Sequence, residues 1–143
     1  MLVRIASLVT VIDGRGAEMD QGSRMRYLSE MMFFPSAFLG ANISFEALDD
    51  CSAQVTLTDQ GATATGTMHF DPVGQLTSFA AMRYRSVNGT SSLQVWSTPV
   101  LAYGELAGLR LPVRGGATWN LATGDLDYID VTITAVEFDA PVP

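Results

Sequence analysis

Few residues of this 143-residue chain could carry out chemistry, since it contains one histidine, one cysteine and no lysine. His69 is the only imidazole, and an imidazole suits general-base catalysis near neutral pH. Alternation of residue types places His69 with Thr63, Thr65 and Thr67 on the polar face of a strand, which favours a solvated histidine. The chain has no G-x-S-x-G segment, the nucleophile motif of many hydrolases. The alternative hypothesis is a small hydrolase of ester or lactone bonds. Its base would be His69 or a carboxylate.

Arg83 and Arg85 are the second candidate group, because they share one face of a strand and flank Tyr84 on the other face. Two guanidinium groups at this spacing could bind a carboxylate or phosphate bidentately, or assist the hydrolase. Arginines at a strand end more often pair with acidic side chains, and the chain has 15 Asp and Glu residues. We favour that structural interpretation, with Glu30 as a candidate partner.

The sequence predicts no metal and no cofactor. Cys51 and His69 are too few for a zinc site, and Cys51 has no second cysteine with which to form an internal disulfide. Asp125, Asp127 and Asp130 lack the rest of a calcium-binding loop, so we interpret them as solvated acids near a turn.

The least ordinary feature of the chain is its methionine and phenylalanine content near one helical segment. Methionine side chains adapt to varied apolar ligands, although a helix buried against a sheet needs apolar residues in any case. The candidate ligand-binding residues are therefore apolar or aromatic, with the two arginines added: Met25, Leu28, Met31, Met32, Phe34, Met68, Phe70, Trp96, Trp119, Arg83 and Arg85.

One helix is predicted from Asp20 to about Phe34, with a wide apolar face and Asp20 as its N-cap. Pro35 ends it, because the residue before a proline is kept out of the helical region. Residues 2–12 are interpreted as a strand rather than a signal peptide, since no cleavage site follows them.

The chain after Gly40 alternates in polarity and is interrupted by turns such as Asn88-Gly89, which predicts a β-meander over residues 43–139. Its later strands are predicted as three short ones and a long one: Leu101–Leu106, Leu109–Pro112, Ala117–Leu121 and Leu126–Phe138. The predicted fold is a single α+β domain of residues 1–143, a curved antiparallel sheet of half-barrel form wrapped around one amphipathic helix.

The amino-acid composition limits the classes of molecule that the protein could bind. The net charge is −7 with no basic run, which argues against nucleic acid, and no apolar run is long enough for a transmembrane segment. Hydrophobic residues make up 48% of the chain, and this excess must be covered by the core, a second chain or an apolar ligand. As the chain stands, we expect a soluble, cytoplasmic protein.

Three blocks together resemble a bacterial family described only as a domain of unknown function: Glu18–Pro35, Met82–Arg85 and Ala117–Tyr128. The resemblance covers residues 13–139 and corresponds to the C-terminal half of that family. It implies that members carry a further N-terminal region, which we expect this chain to lack. A weaker similarity links these proteins to the half-barrel of bacterial lipoprotein carriers, in which an open sheet wraps a helix and holds lipid. The resemblance implies no catalytic residues.

A half-barrel cut near its middle would leave residues 1–11 as an exposed edge strand, which a homodimer would cover. The expected function is non-catalytic binding of a lipid-like or other apolar small molecule, in a cavity between the curved sheet and the helix, by a homodimer. An interaction module completed by a partner chain is a further alternative.

Overall fold

The computed structural model describes residues 16–137, which form one α-helix, two short 3₁₀ helices and seven strands. Helix α1 spans Ala17–Glu30, and the 3₁₀ helices follow at Met31–Phe33 and Pro35–Leu39. The strands are β1 (Ile43–Asp49), β2 (Ser52–Asp59), β3 (Ala62–Phe70), β4 (Leu76–Val87), β5 (Thr90–Leu106), β6 (Leu109–Leu121) and β7 (Gly124–Thr132).

The seven strands form one antiparallel sheet in which every strand lies beside its neighbours in the sequence, in the order β1 to β7. Such a meander follows from the short connections, two residues long except for five between β3 and β4, because short connections can join only antiparallel neighbours. Asn88 and Gly89 have φ values of 50° and 80°, as the hairpin turn of this pair requires. The predicted fold class, an α+β fold with a curved antiparallel sheet and one helix, is confirmed.

Helix α1 covers one face of the sheet, here called the inner face, and contacts β3 and β4. Leu28 is fully buried there, as are Val55 of β2 and Phe79 of β4. Gly66 of β3 allows close packing, since a Cβ atom on it would lie 2.2 Å from Cζ of Phe79. The core is thus a continuous apolar layer between the helix and the middle strands: Met25, Leu28, Met31, Val55, Leu57, Ala64, Met68, Phe79, Ala81, Trp96 and Ala117.

The helix bounds differ from the prediction of Asp20 to Phe34. Helix α1 begins at Ala17, so Asp20 lies in its first turn, where a carboxylate is favourable beside the positive end of the helix dipole. Gly16 is the N-cap, and the prediction of Asp20 in that role is wrong. The helical path tightens after Glu30 and ends at Phe33, because Pro35 holds Phe34 in an extended conformation with φ −140° and ψ 72°.

The later strands are longer than predicted. Strand β5 runs without a break through Leu106, and β6 joins two segments that were predicted as separate strands. Register shifts around Ala102 disturb the two-residue alternation without ending the ladder, and this explains the prediction of shorter strands. Strand β7 ends at Thr132, short of the predicted Phe138. The predicted strand over residues 2–12 and the chain after residue 137 lie outside the described residues.

Within residues 16–137, none of the helices has both the length and the apolar character needed to cross a membrane.

Candidate functional site

An opening in the described structure lies between β3 and β4. These strands pair only near the turn that joins them, from Thr67 opposite Ala80 to Phe70 opposite Leu76, and then diverge. No ladder pair joins residues 62–66 to residues 81–87. The resulting cleft has a volume of about 650 Å³. This opening, called the β3–β4 cleft below, passes beside the N-terminal half of α1.

Apolar side chains dominate the wall of the cleft formed by β4 and β5. Met82 pairs with Val95 in the sheet register, and Tyr84 pairs with Leu93. All four lie on the outer face, opposite the helix, and their side chains are 37–49% exposed. The complete lining is Gln21, Met25, Thr63, Thr65, Gly66, Thr67, Ala80, Ala81, Met82, Tyr84, Leu93 and Val95. A contiguous exposed apolar patch of this kind is typical of a binding surface.

Gln21 of α1 is the polar group at the helix side of the cleft. Its Nε2 donates a hydrogen bond to the carbonyl oxygen of Met82 at 2.9 Å, which satisfies one backbone group that β3 leaves unpaired. Its Oε1 is buried and accepts no hydrogen bond from the described residues. A ligand with an O–H or N–H group would find an acceptor at this point.

A second group of side chains lies on the inner face at the far end of β4, and we call it the arginine–tryptophan cluster: Arg83, Arg85, Trp96, Trp119 and Tyr128. The guanidinium carbon of Arg83 lies 4.6 Å from the ring centroid of Trp96 and 5.7 Å from that of Trp119. That of Arg85 lies 5.9 Å from the Trp119 ring. Both arginines thus sit within cation–π distance of tryptophan.

The register of β5, β6 and β7 places the side chains of the arginine–tryptophan cluster together. Trp96 of β5 pairs with Trp119 of β6, so both indoles are on the inner face. A bulge then leaves Tyr128 of β7 without a partner, between Ile129 opposite Ala117 and Asp127 opposite Thr118. The Tyr128 ring stacks on Trp119 at a centroid distance of 6.0 Å. Its hydroxyl accepts hydrogen bonds from Nε1 of Trp96 at 2.9 Å and from Nη1 of Arg83 at 3.3 Å.

The charge of the two arginines is not balanced within the described part of the chain. No carboxylate of residues 16–137 lies within ion-pairing distance of Arg83 or Arg85. Glu30, the predicted partner, accepts instead from Nε of Arg26 at 2.6 Å, so that prediction is wrong. Glu30 lies one helical turn from Arg26 on the exposed side of α1, which favours the local pair.

The predicted ligand-binding residues all belong to the inner face or to the helical segments that cover it. Most are core residues with at most 5% exposure: Met25, Leu28, Met31, Met32, Met68 and Trp96. Phe34, Phe70 and Trp119 are partly buried against that core, and both arginines are partly buried. Only Met25 of this set lines the cleft. Tyr84, Leu93 and Val95 were not predicted, because polarity alternation does not reveal that two adjacent strands diverge.

His69 lies on the outer face, opposite Ser52 in β2 and Ser78 in β4. Its side chain is exposed and makes no hydrogen bond with the described residues. Asp49, in the preceding hairpin, has a pKa below its ordinary value because the backbone N–H of Cys51 and then the hydroxyl of Ser52 donate to it. The side chain of His69 lies on the outer face of the sheet, whereas those of Arg83 and Arg85 lie on the inner face.

The three aspartates near the last turn have separate partners. Asp125 accepts from Asn120, Asp127 from the hydroxyl of Thr118 at 2.6 Å, and Asp130 from Arg114. Over the described ranges, no three His, Cys, Asp or Glu side chains are grouped as metal ligands.

A smaller cavity of about 290 Å³ lies near the β3–β4 turn. There the Tyr103 hydroxyl donates to the carbonyl oxygen of Leu76 at 2.8 Å, and burial raises its pKa. Arg110 lies 5.4 Å from the Tyr103 ring and donates to Gln75.

Comparison with known proteins gives one match. The model of a family described as a family of unknown function (DUF6544) matches residues 1–131, which confirms the resemblance drawn from the sequence blocks. Neither the curated proteins nor the solved structures contain a significant match to the chain. The similarity to lipoprotein carriers therefore stays a prediction.

Proposed function

The chain belongs to the DUF6544 family, whose function is unknown, and from its own geometry we propose that it binds a lipid-like or other apolar small molecule in the β3–β4 cleft. The observation that carries this proposal is the cleft itself, with a volume of about 650 Å³ and the exposed apolar side chains of β4 and β5 along its wall. Small-molecule sites have volumes of roughly 300–1,000 Å³ and are mostly apolar with a few polar groups.

The proposed ligand lies beside the helix rather than beneath it. The interface between α1 and the sheet is filled by core side chains, with Leu28, Val55 and Phe79 fully buried. A dense interior of this kind accommodates an added group only with strain. The cleft, in contrast, already exposes Met82, Tyr84 and their β5 neighbours, so a ligand there would cover apolar surface without displacing the core.

Binding is favoured over the alternative of ester or lactone hydrolysis. A hydrolase would need its base and its cationic group around one substrate, whereas His69 and Arg83 occupy opposite faces of the sheet. No hydrogen bond within residues 16–137 joins the His69 side chain to Ser52 or Ser78. The interaction-module alternative predicts that a partner chain, and no small molecule, occupies the cleft.

The experiment is a titration with a fluorescent fatty acid, compared between two leucine-to-aspartate variants. Leu93 lines the cleft and is 46% exposed, whereas Leu109 lies outside it and is 48% exposed. We expect saturable binding to the unmodified protein and to Leu109→Asp, and a loss of about tenfold or more in Leu93→Asp. No saturable binding, or equal loss in both variants, would contradict the proposal.

We also propose a homodimer. Of the described strands, β1 and β7 are at the edges of the sheet, and edge strands expose unpaired backbone groups. Strand β7 also exposes Leu126 and Val131, at 43% and 38%. A second copy paired along β7 would cover both its backbone edge and these side chains.

A further inference from the structure

The hairpin turns beside the β3–β4 cleft determine which backbone groups point into it. The residues that flank a two-residue turn bond to each other, and every second pair along the ladder does so again. Asp59 and Ala62 flank the turn between β2 and β3, so the even-numbered residues of β3 bond to β2 and the odd-numbered ones face β4. Val87 and Thr90 flank the turn between β4 and β5, so the even-numbered residues of β4 face β3.

The cleft therefore has a strand edge on each side. The residues that both line the cleft and direct their backbone N–H and C=O groups into it are Thr63 and Thr65 of β3 and Met82 and Tyr84 of β4. Continued past Thr67, the register of β3 and β4 would pair Thr65 with Met82. It would then pair Thr63 with Tyr84, but neither pair belongs to the described ladder. An apolar ligand would cover these backbone groups, and a desolvated N–H or C=O group without a partner is unfavourable.

The side chain of Gln21 shows that an amide fits against the edge of β4. Its Nε2 donates to the carbonyl oxygen of Met82 at 2.9 Å, where a backbone N–H of β3 would donate in a continuous sheet. Tyr84 comes two residues further along the same edge and also lines the cleft. A ligand amide beside Tyr84 would continue the pairing that Gln21 begins.

We propose that the apolar ligand carries a secondary amide, which bonds to the backbone of Tyr84 on one side and to that of β3 on the other. This inference rests on the function proposed above and narrows its ligand class to amides of an apolar chain. A trans amide directs its N–H and C=O groups in opposite directions, as a peptide unit of a central strand does, so each strand bonds to one of them. An ester has the carbonyl but no N–H, and it can bond to only one strand.

The lining of the cleft matches a neutral polar group on an apolar chain. Of the described residues that line it, none is charged, so polar recognition there depends on neutral hydrogen-bonding groups. A secondary amide is neutral and offers one donor and one acceptor. The chain attached to it would cover Met82, Leu93 and Val95, which are 44–49% exposed on the outer face.

The test compares N-methyldecanamide with two analogues of similar shape that have no N–H group, methyl decanoate and N,N-dimethyldecanamide. Each compound is titrated below its solubility limit into isotope-labelled protein. Chemical shifts of the backbone N–H groups give the affinity, and their hydrogen-exchange rates show which of them are hydrogen-bonded. The titrations are repeated with Leu93→Asp, which alters the cleft wall, and with Leu109→Asp, which lies outside it.

We expect N-methyldecanamide to bind about tenfold more tightly than either analogue. It should slow hydrogen exchange about tenfold at a cleft-facing N–H group, and leave exchange at Ala64 and Arg83 unchanged, because these residues bond to β2 and β5. A preference for the amide without slower exchange at any cleft-facing N–H group would overturn the assignment to the strand edges.

The failure of this inference is distinguishable from the failure of the proposed function. Equal affinity of the three compounds, lost in Leu93→Asp but not in Leu109→Asp, would overturn the amide site and leave the proposed function intact. Absence of binding, or equal loss in the two leucine variants, would overturn both.

A capped tetrapeptide of alternating serine and valine tests whether the strand edges select a peptide instead. It offers several backbone amides but no alkyl chain, so we expect it to bind at least about tenfold more weakly than N-methyldecanamide. Tighter binding of the tetrapeptide would overturn the proposed function and assign the cleft to an extended peptide that adds a strand to the sheet.

Discussion

The hydroxyl of Tyr128 accepts a hydrogen bond from the indole Nε1 of Trp96 at 2.9 Å, although β6 lies between their strands. The bulge in β7 makes this possible, because Tyr128 is the residue without a partner in the ladder. The same hydroxyl accepts from Arg83, so one side chain satisfies two donors from two strands. The position of the arginine–tryptophan cluster therefore depends on a register shift in the last described strand.

Tyr128→Phe should destabilise the protein by about 1–3 kcal/mol, because the indole N–H and one guanidinium N–H lose their acceptor. Urea denaturation followed by circular dichroism measures this change. The matched control is Tyr27→Phe, since Tyr27 is 42% exposed, close to the 43% of Tyr128, and its hydroxyl makes no hydrogen bond within the described residues. Equal losses in the two variants would show that the Tyr128 hydroxyl has no specific role.

Leu28→Asp should lower the free energy of unfolding by about 3–5 kcal/mol, because it places an unpaired carboxylate at a fully buried position between α1 and the sheet. Met19→Asp is the control on the same helix, at a position that is 43% exposed and near the N-terminus, where a negative charge is tolerated. The difference between their thermal unfolding midpoints measures the effect. Similar midpoints would mean that α1 does not pack on the inner face.

Gly66→Ala should destabilise the fold by about 1–3 kcal/mol, because the new Cβ atom would overlap the Phe79 ring at 2.2 Å and approach the carbonyl oxygen of Ala80 at 3.0 Å. The Phe79→Leu background removes the ring contact. The double variant should then be more stable than the sum of the two single changes predicts. Strict additivity in urea denaturation would indicate that the two residues do not touch.

Asp130 has a pKa below its ordinary value of 3.8, because Arg114 donates hydrogen bonds to it and because the two charges attract. The unfolded chain binds this proton more readily than the folded chain does. The contribution to stability is therefore present above the ordinary pKa and lost as the pH falls through the lowered one. In Asp130→Asn, the urea concentration at the midpoint of unfolding should fall less as the pH is lowered. The difference should be slight, because the Arg114–Asp130 pair is exposed and screened by solvent. An unchanged dependence would contradict this assignment.

Light scattering at micromolar protein concentration tests the homodimer. We expect about twice the monomer mass of 15.3 kDa, and a shift toward the monomer in Val131→Lys, because a lysine on an edge strand opposes pairing with a second copy. Val73→Lys is the control, at an 88% exposed residue in the turn between β3 and β4. A monomer mass for the unmodified protein would exclude the dimer at that concentration.

The sequence by itself determined the local elements of this protein. The turn at Asn88-Gly89 follows from the conformations that these residues prefer, and Pro35 ends the helical path because of its ring. Polarity alternation assigned Met68 to a strand with one buried face, since side chains in a strand alternate between its two faces. Each of these inferences depends on interactions between residues that are close in the chain.

Only the tertiary structure decided where the candidate site lies. The cleft exists because β3 and β4 diverge beyond Thr67, and the cluster exists because a bulge carries Tyr128 to Trp96. Both depend on register and packing between residues that are distant in the chain, which composition and spacing do not encode. The same holds for Arg83, for which 15 acidic residues offered many partners, whereas the fold places no described carboxylate beside it.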